Sequence, residues 1–270
     1  MEPQPEPTIS FTGSIPSSYD RYLGPLFFED YAIDVSSRIK PTAQRVLELC
    51  CGTGRVTNHL RKLLHPTSEL IASDISEDMI AVAKERLKGA NIDWRIIDAQ
   101  NIPLEDNSRD LVVCCFGYML VPDKEKAFTE ALRVLRPGGT LLMSTWDKLE
   151  NNHASHVFRK IIKEYFGDSL PQTYKLPFSM HDPKSIKEQL FSAGFTKVSI
   201  EVVEKTFPGA SAKEVAYALV HGGPLYNEII KKNPSWVLEI SDKVERQLSA
   251  KYGSAPMLAP MRALICQADK

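Results

Sequence analysis

The sequence predicts a doubly wound α/β fold, a mostly parallel sheet covered by helices on both faces. Short apolar runs alternate with amphipathic helical stretches from about residue 45 to residue 146, the pattern of repeated strand–helix–strand units. The run DLVVCCF at 110–116 is almost unbroken in apolar residues, as a central strand buried on both faces requires. The stretch VLELCCGTGR at 46–55 reads as a strand entering a glycine-rich turn and then a helix, the arrangement that places a ligand at the carboxyl ends of the strands.

The elements follow in order. Residues 1–10 are rich in proline and glutamate and are expected to fray. Residues 19–39 carry Phe27, Phe28, Tyr31, Ile33, Val35 and Ile39 in a helical pattern, with a break expected at Gly24-Pro25 and an end at Pro41. Strands are predicted at 45–49, 69–73, 92–97, 110–116, 140–146, 197–206 and 262–267. Ser76 is a candidate N-cap, with Glu77 and Asp78 in the first turn and Met79, Ile80, Ala83 and Leu87 on one face. A helix over 123–135 turns Ala127, Phe128, Ala131, Leu132 and Leu135 inward, and Pro137-Gly138-Gly139 is expected to stop it. Asp182-Pro183 opens a helix that ends at Gly194.

Two helical segments interrupt the alternation, at about 150–180 and 207–255. The second holds a capping box, Ser211 to Glu214, and a helix from Asn233-Pro234 with Trp236, Val237, Ile240, Val244 and Leu248 on one packing face.

Composition narrows the function classes. The chain has 270 residues, 43% of them apolar, enough for a substantial core. A net charge of −1 gives no global attraction to nucleic acid or anionic lipid, and no run of basic residues supports a local patch. The first residues lack an apolar signal core, and no stretch is long and apolar enough for a membrane span. Five cysteines, four in adjacent pairs, match neither a disulfide framework nor zinc spacing. The cytoplasm is the expected compartment, and no metal is expected.

Gly52 and Gly54 fit a dinucleotide loop, but Thr57 stands where its third glycine belongs. Charge separates the candidates. Glu48 lies at the mouth of the loop, and a carboxylate about 5 Å from a phosphate charge costs roughly 3 kcal/mol. A ligand with an ammonium and a sulfonium is attracted instead. S-adenosylmethionine carries both, with a ribose diol for Asp74, a carboxylate for the helix start, and an adenine edge for Asp98.

VLELCCGTG, ASDISEDMI, IIDAQNIPL, DLVVCCFGYMLVPD and LRPGGTLLMSTWD, in this order over 46–147, resemble the motifs of class I S-adenosylmethionine-dependent methyltransferases. The resemblance is nearest to the small-molecule branch of ubiquinone/menaquinone-biosynthesis type, with YDRYLGPLFFEDYA at 19–32 similar to its N-terminal segment. It implies a Rossmann-like, seven-stranded sheet with an antiparallel last strand, plus helical cap insertions. It implies an N-terminal tail and lid over 1–40, and a methyltransferase domain over 41–270.

As the resemblance implies, Glu48 would orient the cofactor and Gly52 and Gly54 would admit its methionine portion. Asp74 would accept the ribose hydroxyls, Ile75 and Met79 would flank the adenine, and Asp98 with the Ala99 N–H would read its edge. Phe116 would lie near the sulfonium. Cys50 replaces the family's first glycine and is expected to crowd the methionine portion.

The implied reaction is in-line methyl transfer to a small molecule, with S-adenosylhomocysteine released. Tyr19, Tyr22, Tyr118, His153 and His221 are the candidate proton-handling groups, though His153, His156, His181 and His221 read first as surface or capping residues. Tyr19, Tyr22, Met119 and Trp146 are the candidate acceptor-pocket residues. Met119 stands where many relatives carry histidine, which points to an acceptor that is already nucleophilic or is deprotonated from elsewhere. The competing readings are an RNA methyltransferase on the same fold, a non-catalytic S-adenosylmethionine-binding protein and an NAD-dependent oxidoreductase. Four thiols, Cys50, Cys51, Cys114 and Cys115, are expected to gather beneath the cofactor as small apolar filling.

Overall fold

The computed structural model describes residues 11–171, 174–207 and 209–270. The fraying expected of residues 1–10 lies outside them.

Seven strands form one sheet: β1 (Arg45–Glu48), β2 (Glu69–Asp74), β3 (Asp93–Ile96), β4 (Arg109–Cys115), β5 (Leu135–Trp146), β6 (Lys197–Lys205) and β7 (Met261–Asp269). Their spatial order is β3-β2-β1-β4-β5-β7-β6. Strands β1 to β5 run parallel, and β7 inserts antiparallel between β5 and β6. The sheet thus has the doubly wound topology that the sequence pattern predicts and the antiparallel last strand that the resemblance implies. The central strands read as apolar runs because both faces are covered, and Val46, Leu47, Ile71, Val112, Val113 and Leu141 are all buried.

Helices α3 (Arg55–Leu63), α4 (Glu77–Arg86) and α5 (Lys124–Val134) make the parallel crossovers. Their starts are set locally. Ser76 Oγ accepts from the Met79 N–H and Asp123 accepts from the Lys126 N–H. In α7 (Pro183–Ala193), Asp182 caps the start and Gly194, at φ +107°, ends it. The remaining helices are α6 (His153–Phe166), α8 (Ala212–His221), α9 (Leu225–Lys232) and α10 (Trp236–Tyr252). The Ser211–Glu214 capping box opens α8. Helix α10 packs on α8 and α6 through the buried face of Val237, Ile240, Val244 and Leu248. Trp236 packs edge-on to Tyr165 and Phe166.

Two expectations are corrected. The N-terminal segment does not break at Gly24-Pro25: α1 (Ile15–Ser18) leads into a π-helix over Tyr19–Phe28 and then α2 (Glu29–Ser37). The wider i→i+5 turn takes the Glu29 N–H to the Gly24 carbonyl past Pro25. Gly24 serves a close approach, since a Cβ there would meet Arg55 Nε at 2.1 Å. Pro137-Gly138-Gly139 does not precede the fifth strand but lies within it. Leu135 already pairs with Arg109, and a bulge follows before Thr140 meets Leu111.

Candidate functional site

The chain moves outward from β1 through β2 to β3, then returns across β1 to β4. The crevice at the carboxyl ends of β1 and β4 is the topological switch point. Glu48 ends β1, and the backbone then takes left-handed turns at Cys50 (φ +53°), Gly52 (+54°) and Gly54 (+79°). Cysteine in this region costs roughly 1–2 kcal/mol that glycine avoids.

The Cys50 side chain finds its space because residue 117 is glycine. A Cβ there would lie 2.4 Å from Cys50 Cβ and 2.7 Å from Sγ of both Cys50 and Cys114. Cys50 thus packs on Cys114 as well as lining the crevice. Gly117→Ala is expected to cost about 1–3 kcal/mol by overpacking, read from the denaturant midpoint. Adding Cys50→Gly should recover part of that loss, and an additive pair would show that the two sites do not touch.

A cavity of about 430 Å³ lies over this loop, lined by Tyr19, Phe28, Glu48, Cys50, Gly52 and Phe116 among others. Glu48 is 1% exposed, and its Oε2 has no hydrogen-bond partner among the described residues. Burial pushes its carboxyl up to about 8, with Thr57 working against the shift and Asp74 adding to it. A buried, unpartnered carboxylate is costly until a cation or donor reaches it. Burial also raises the Asp74 carboxyl, against hydrogen bonds from Ser76, Gly52 and Ile75. Asp74 accepts the Gly52 N–H at 2.9 Å and the Ser76 N–H at 2.9 Å, tying the glycine loop to the end of β2.

Beyond Asp74, Ile75 is 66% exposed, and Met79 is buried on α4. Past β3, Asp98 accepts from the backbone and side chain of Gln100, and the adjacent Ala99 is buried. Phe116 leaves β4 at φ +55°. It stacks near Trp146, with ring centroids 4.3 Å apart, and meets Phe28 edge-on at 5.3 Å.

Tyr19, Phe28 and Phe116 also wall a second cavity of about 990 Å³. Met119, Trp146, Phe158, Tyr174, Phe178 and Leu225 line it further. Among all the residues that line it, only Tyr19, Ser155, Tyr174 and the Trp146 ring nitrogen carry polar side-chain atoms. Burial raises both tyrosine hydroxyls far above their usual range, so neither ionises readily. The two cavities therefore meet at an aromatic junction.

The sequence-derived candidates separate here. Tyr19, Met119 and Trp146 line the large cavity, whereas Tyr22 packs edge-on to Tyr217 at 4.9 Å. Tyr118 turns into the core against Phe128, and its hydroxyl is buried without a partner among the described residues. The expectation that Tyr118 handles a proton at the reacting group is thus corrected, because its hydroxyl points into the core. His153 packs beside Tyr252, and His221 stacks on Tyr217 at 3.8 Å while bonding the Tyr217 carbonyl. Neither histidine lines the cavity. Cys50, Cys51 and Cys115 line the crevice, and Cys114 is buried against Cys50, while Cys51 also packs with Ala72 and Ile80. Burial pushes the Cys115 thiol up to about 12. Among the described residues no three His, Cys, Asp or Glu side chains converge as a metal site.

The sequence reading missed an ionic cluster beneath the N-terminal segment. Arg55, at the start of α3, bonds Glu29 at 2.5 Å and both the carbonyl and the carboxylate of Asp20. Asp20 also accepts from the Thr53 hydroxyl at 2.8 Å and pairs with Arg86. His59 reaches Glu29 at 2.8 Å. The segment that walls both cavities is thereby tied to the glycine loop.

Comparison with known proteins agrees with this geometry. The methyltransferase domain family matches residues 46–139. A demethylmenaquinone methyltransferase of Staphylococcus haemolyticus is 32% identical over 219 residues, 74% of this chain and 88% of the relative. A ubiquinone/menaquinone biosynthesis C-methyltransferase of Pasteurella multocida is 31% identical over 63% of this chain and 68% of its own. In structure, a phosphoethanolamine N-methyltransferase of Haemonchus contortus, solved with S-adenosyl-L-methionine, superposes with a TM-score of 0.60 at 19% identity. That match covers 96% of this chain and 57% of the other, and it speaks for the fold alone.

Proposed function

Because the chain belongs to the class I S-adenosylmethionine-dependent methyltransferases, in the branch of the demethylmenaquinone and ubiquinone/menaquinone biosynthesis enzymes, we propose that its acceptor is a small, quinol-like aromatic whose apolar body is held in the larger cavity. The chain transfers a methyl group from S-adenosylmethionine to a small molecule and releases S-adenosylhomocysteine. The observation that carries the acceptor class is the aromatic wall of Tyr19, Phe28 and Phe116, shared by the crevice and a large cavity lined by apolar side chains. No helix among the described residues is long and apolar enough to cross a membrane. The reading places the reaction in the cytoplasm, without nucleic acid.

The crevice fits the cofactor. The unpaired Glu48 Oε2 suits an ammonium, and apart from its chain neighbours no protein atom lies within 4 Å of where a Cβ would stand at Gly52. When bound, the cofactor supplies an activated methyl group on a sulfonium. Glu48 would hold the amino group, while the backbone at Gly52 and Gly54 admits the methionine portion. Asp74 has further lone pairs for ribose hydroxyls beside its backbone donors Gly52, Ser76 and Ile75. Asp98 and the Ala99 N–H would read the adenine edge, with Ile75 and Met79 against its face. The Phe116 carbonyl would lie near the reacting centre. Tyr19, Phe28, Phe116 and Trp146 would exclude water and hold acceptor and methyl in line.

The large cavity offers no side chain poised as a general base. Met119 occupies the turn after β4; its sulfur accepts a weak bond from the Thr145 hydroxyl, and its carbonyl accepts from Ser179. This supports an acceptor whose ring is electron-rich in its own right, or one that arrives deprotonated. The test is calorimetry with S-adenosylhomocysteine and NAD, followed by turnover on short-chain hydroquinones. Preference for NAD would overturn the cofactor, and turnover on RNA alone would overturn the acceptor. Cofactor binding with no turnover across the acceptor panel would favour a binding protein. Asp74→Asn is expected to weaken S-adenosylhomocysteine at least about tenfold, since it removes a charge-assisted contact. Unchanged affinity would remove Asp74 from the site.

A further inference from the structure

Beside the large cavity lies a groove of about 990 Å³ whose charge contrasts with the rest of the chain. Lys148, Arg159, Lys160, Lys163 and Lys175 line it together with His156 and His181, against one carboxylate, Glu150. None of these five cations is paired with a carboxylate among the described residues. The whole chain has a net charge of −1, so the groove is a local concentration of positive charge.

Three segments build it. On α6, His156, Arg159, Lys160 and Lys163 fall at i, i+3, i+4 and i+7 and share one face. Lys148 and Glu150 come from the turn after β5, and Lys175 and His181 from the stretch before α7. Like charges at this spacing repel each other, and fold stability gives no reason for them. The groove adjoins the acceptor cavity directly: Phe178 lines both, and Ser155 and Phe158 of α6 face the cavity one residue before His156 and Arg159 face the groove.

We propose that the groove binds the anionic end of an amphiphilic acceptor whose apolar body fills the large cavity, the anion being a phosphate or carboxylate. An apolar chamber opening onto a cationic one matches a molecule with that polarity. A groove built on one face of α6 and two short flanking stretches is too confined for the extended cationic track of a nucleic-acid site. The inference rests on the acceptor cavity assigned above and specifies which molecules it selects. Lysine and arginine at the mouth also attract anions from a distance, in a salt-dependent way.

The test compares octyl phosphate, octanol and inorganic phosphate as ligands by calorimetry, with wild type and Lys160→Glu/Lys163→Glu. Both lysines are exposed, and S-adenosylhomocysteine affinity reports whether the variant is folded and whether the methyltransferase reading holds. Octyl phosphate should bind wild type at least about tenfold tighter than octanol at low salt, and the charge reversal should remove most of that preference. Octanol and S-adenosylhomocysteine should bind both proteins alike. Equal binding of octyl phosphate and octanol, a preference that survives the reversal, or inorganic phosphate binding as tightly as octyl phosphate would overturn the proposal. Displacement of octyl phosphate by a short single-stranded RNA at equal concentration would overturn it in favour of nucleic acid.

Discussion

S-adenosylhomocysteine is expected to bind roughly fifty-fold more tightly at pH 8 than at pH 6, and Glu48→Gln should bind weakly with almost no dependence on pH. The Glu48 carboxyl is held up to about 8 by burial. Only its ionised form pairs with the ligand ammonium, so apparent affinity scales with the ionised fraction. With a pKa near 8 that fraction is about one in a hundred at pH 6 and one half at pH 8. Binding therefore releases a proton, and calorimetry in buffers of different ionisation enthalpy should count it.

The same group sets the sign of the ligand-free stability profile. The folded-state pKa stands above the unfolded value of 4.5, so the folded form holds the extra proton between the two. Stability present below pH 4.5 is lost as pH rises through about 8. Asp74, also raised by burial, acts with the same sign. The melting temperature of the ligand-free protein should fall over this window, and Glu48→Gln should flatten the fall. A flat wild-type affinity profile, or a Glu48→Gln profile as steep as wild type, would detach Glu48 from the ligand.

The parts of the site legible in sequence are those made by neighbours in the chain. Glu48, Asp74 and Asp98 each stand at or just past the carboxyl end of a strand, and strand periodicity with glycine and capping signals locates such ends without tertiary knowledge. Tyr118 and Met119 could not be told apart in this way. The left-handed turn at Phe116 and the 3-10 turn over Tyr118–Leu120 change the repeat from two to about three residues. Alternation along β4 therefore stops predicting which side chain faces the cavity. His221 reads in sequence first as a surface or capping residue, and its ring is spent on Tyr217 one turn earlier, a contact that removes it from the proton-handling candidates. The basic groove was illegible because its cations come from three separated segments and form no run. Most hidden of all was the contact of Asp20 with Arg86, 66 residues away. No local pattern marks an aspartate in a π-helix as the partner of two distant arginines.

Loss of that ionic cluster should have the largest effect on stability. Arg55→Met is expected to cost roughly 2–4 kcal/mol, below the full penalty for a broken buried pair because its partners are partly solvated. The Arg55 side chain is 10% exposed, against 26% for Asp20 and 27% for Glu29. Removing the guanidinium leaves Glu29 with His59 and a distant Arg86, and Asp20 with Thr53 and Arg86. Arg55→Lys should recover little, since one ammonium cannot span Glu29 and Asp20 as the planar fork does. The N-terminal segment carries Tyr19 and Phe28, so its release should also open the aromatic junction. Trypsin cleavage at Arg21 should then speed up, and the acceptor KM should rise more than the S-adenosylhomocysteine Kd. Glu29 adds a pH signature. Burial opposes its ionisation, but hydrogen bonds from His59 and Arg55 outweigh that and hold its pKa below 4.5. Its contribution is present above that value and lost as pH falls through the lower one. Wild type should therefore lose stability on acidification below pH 4.5 more steeply than Arg55→Met. Equal melting temperatures and equal cleavage rates in the two proteins would mean that the cluster is a solvated surface feature, and that apolar packing of Phe27 and Tyr31 alone seats the segment.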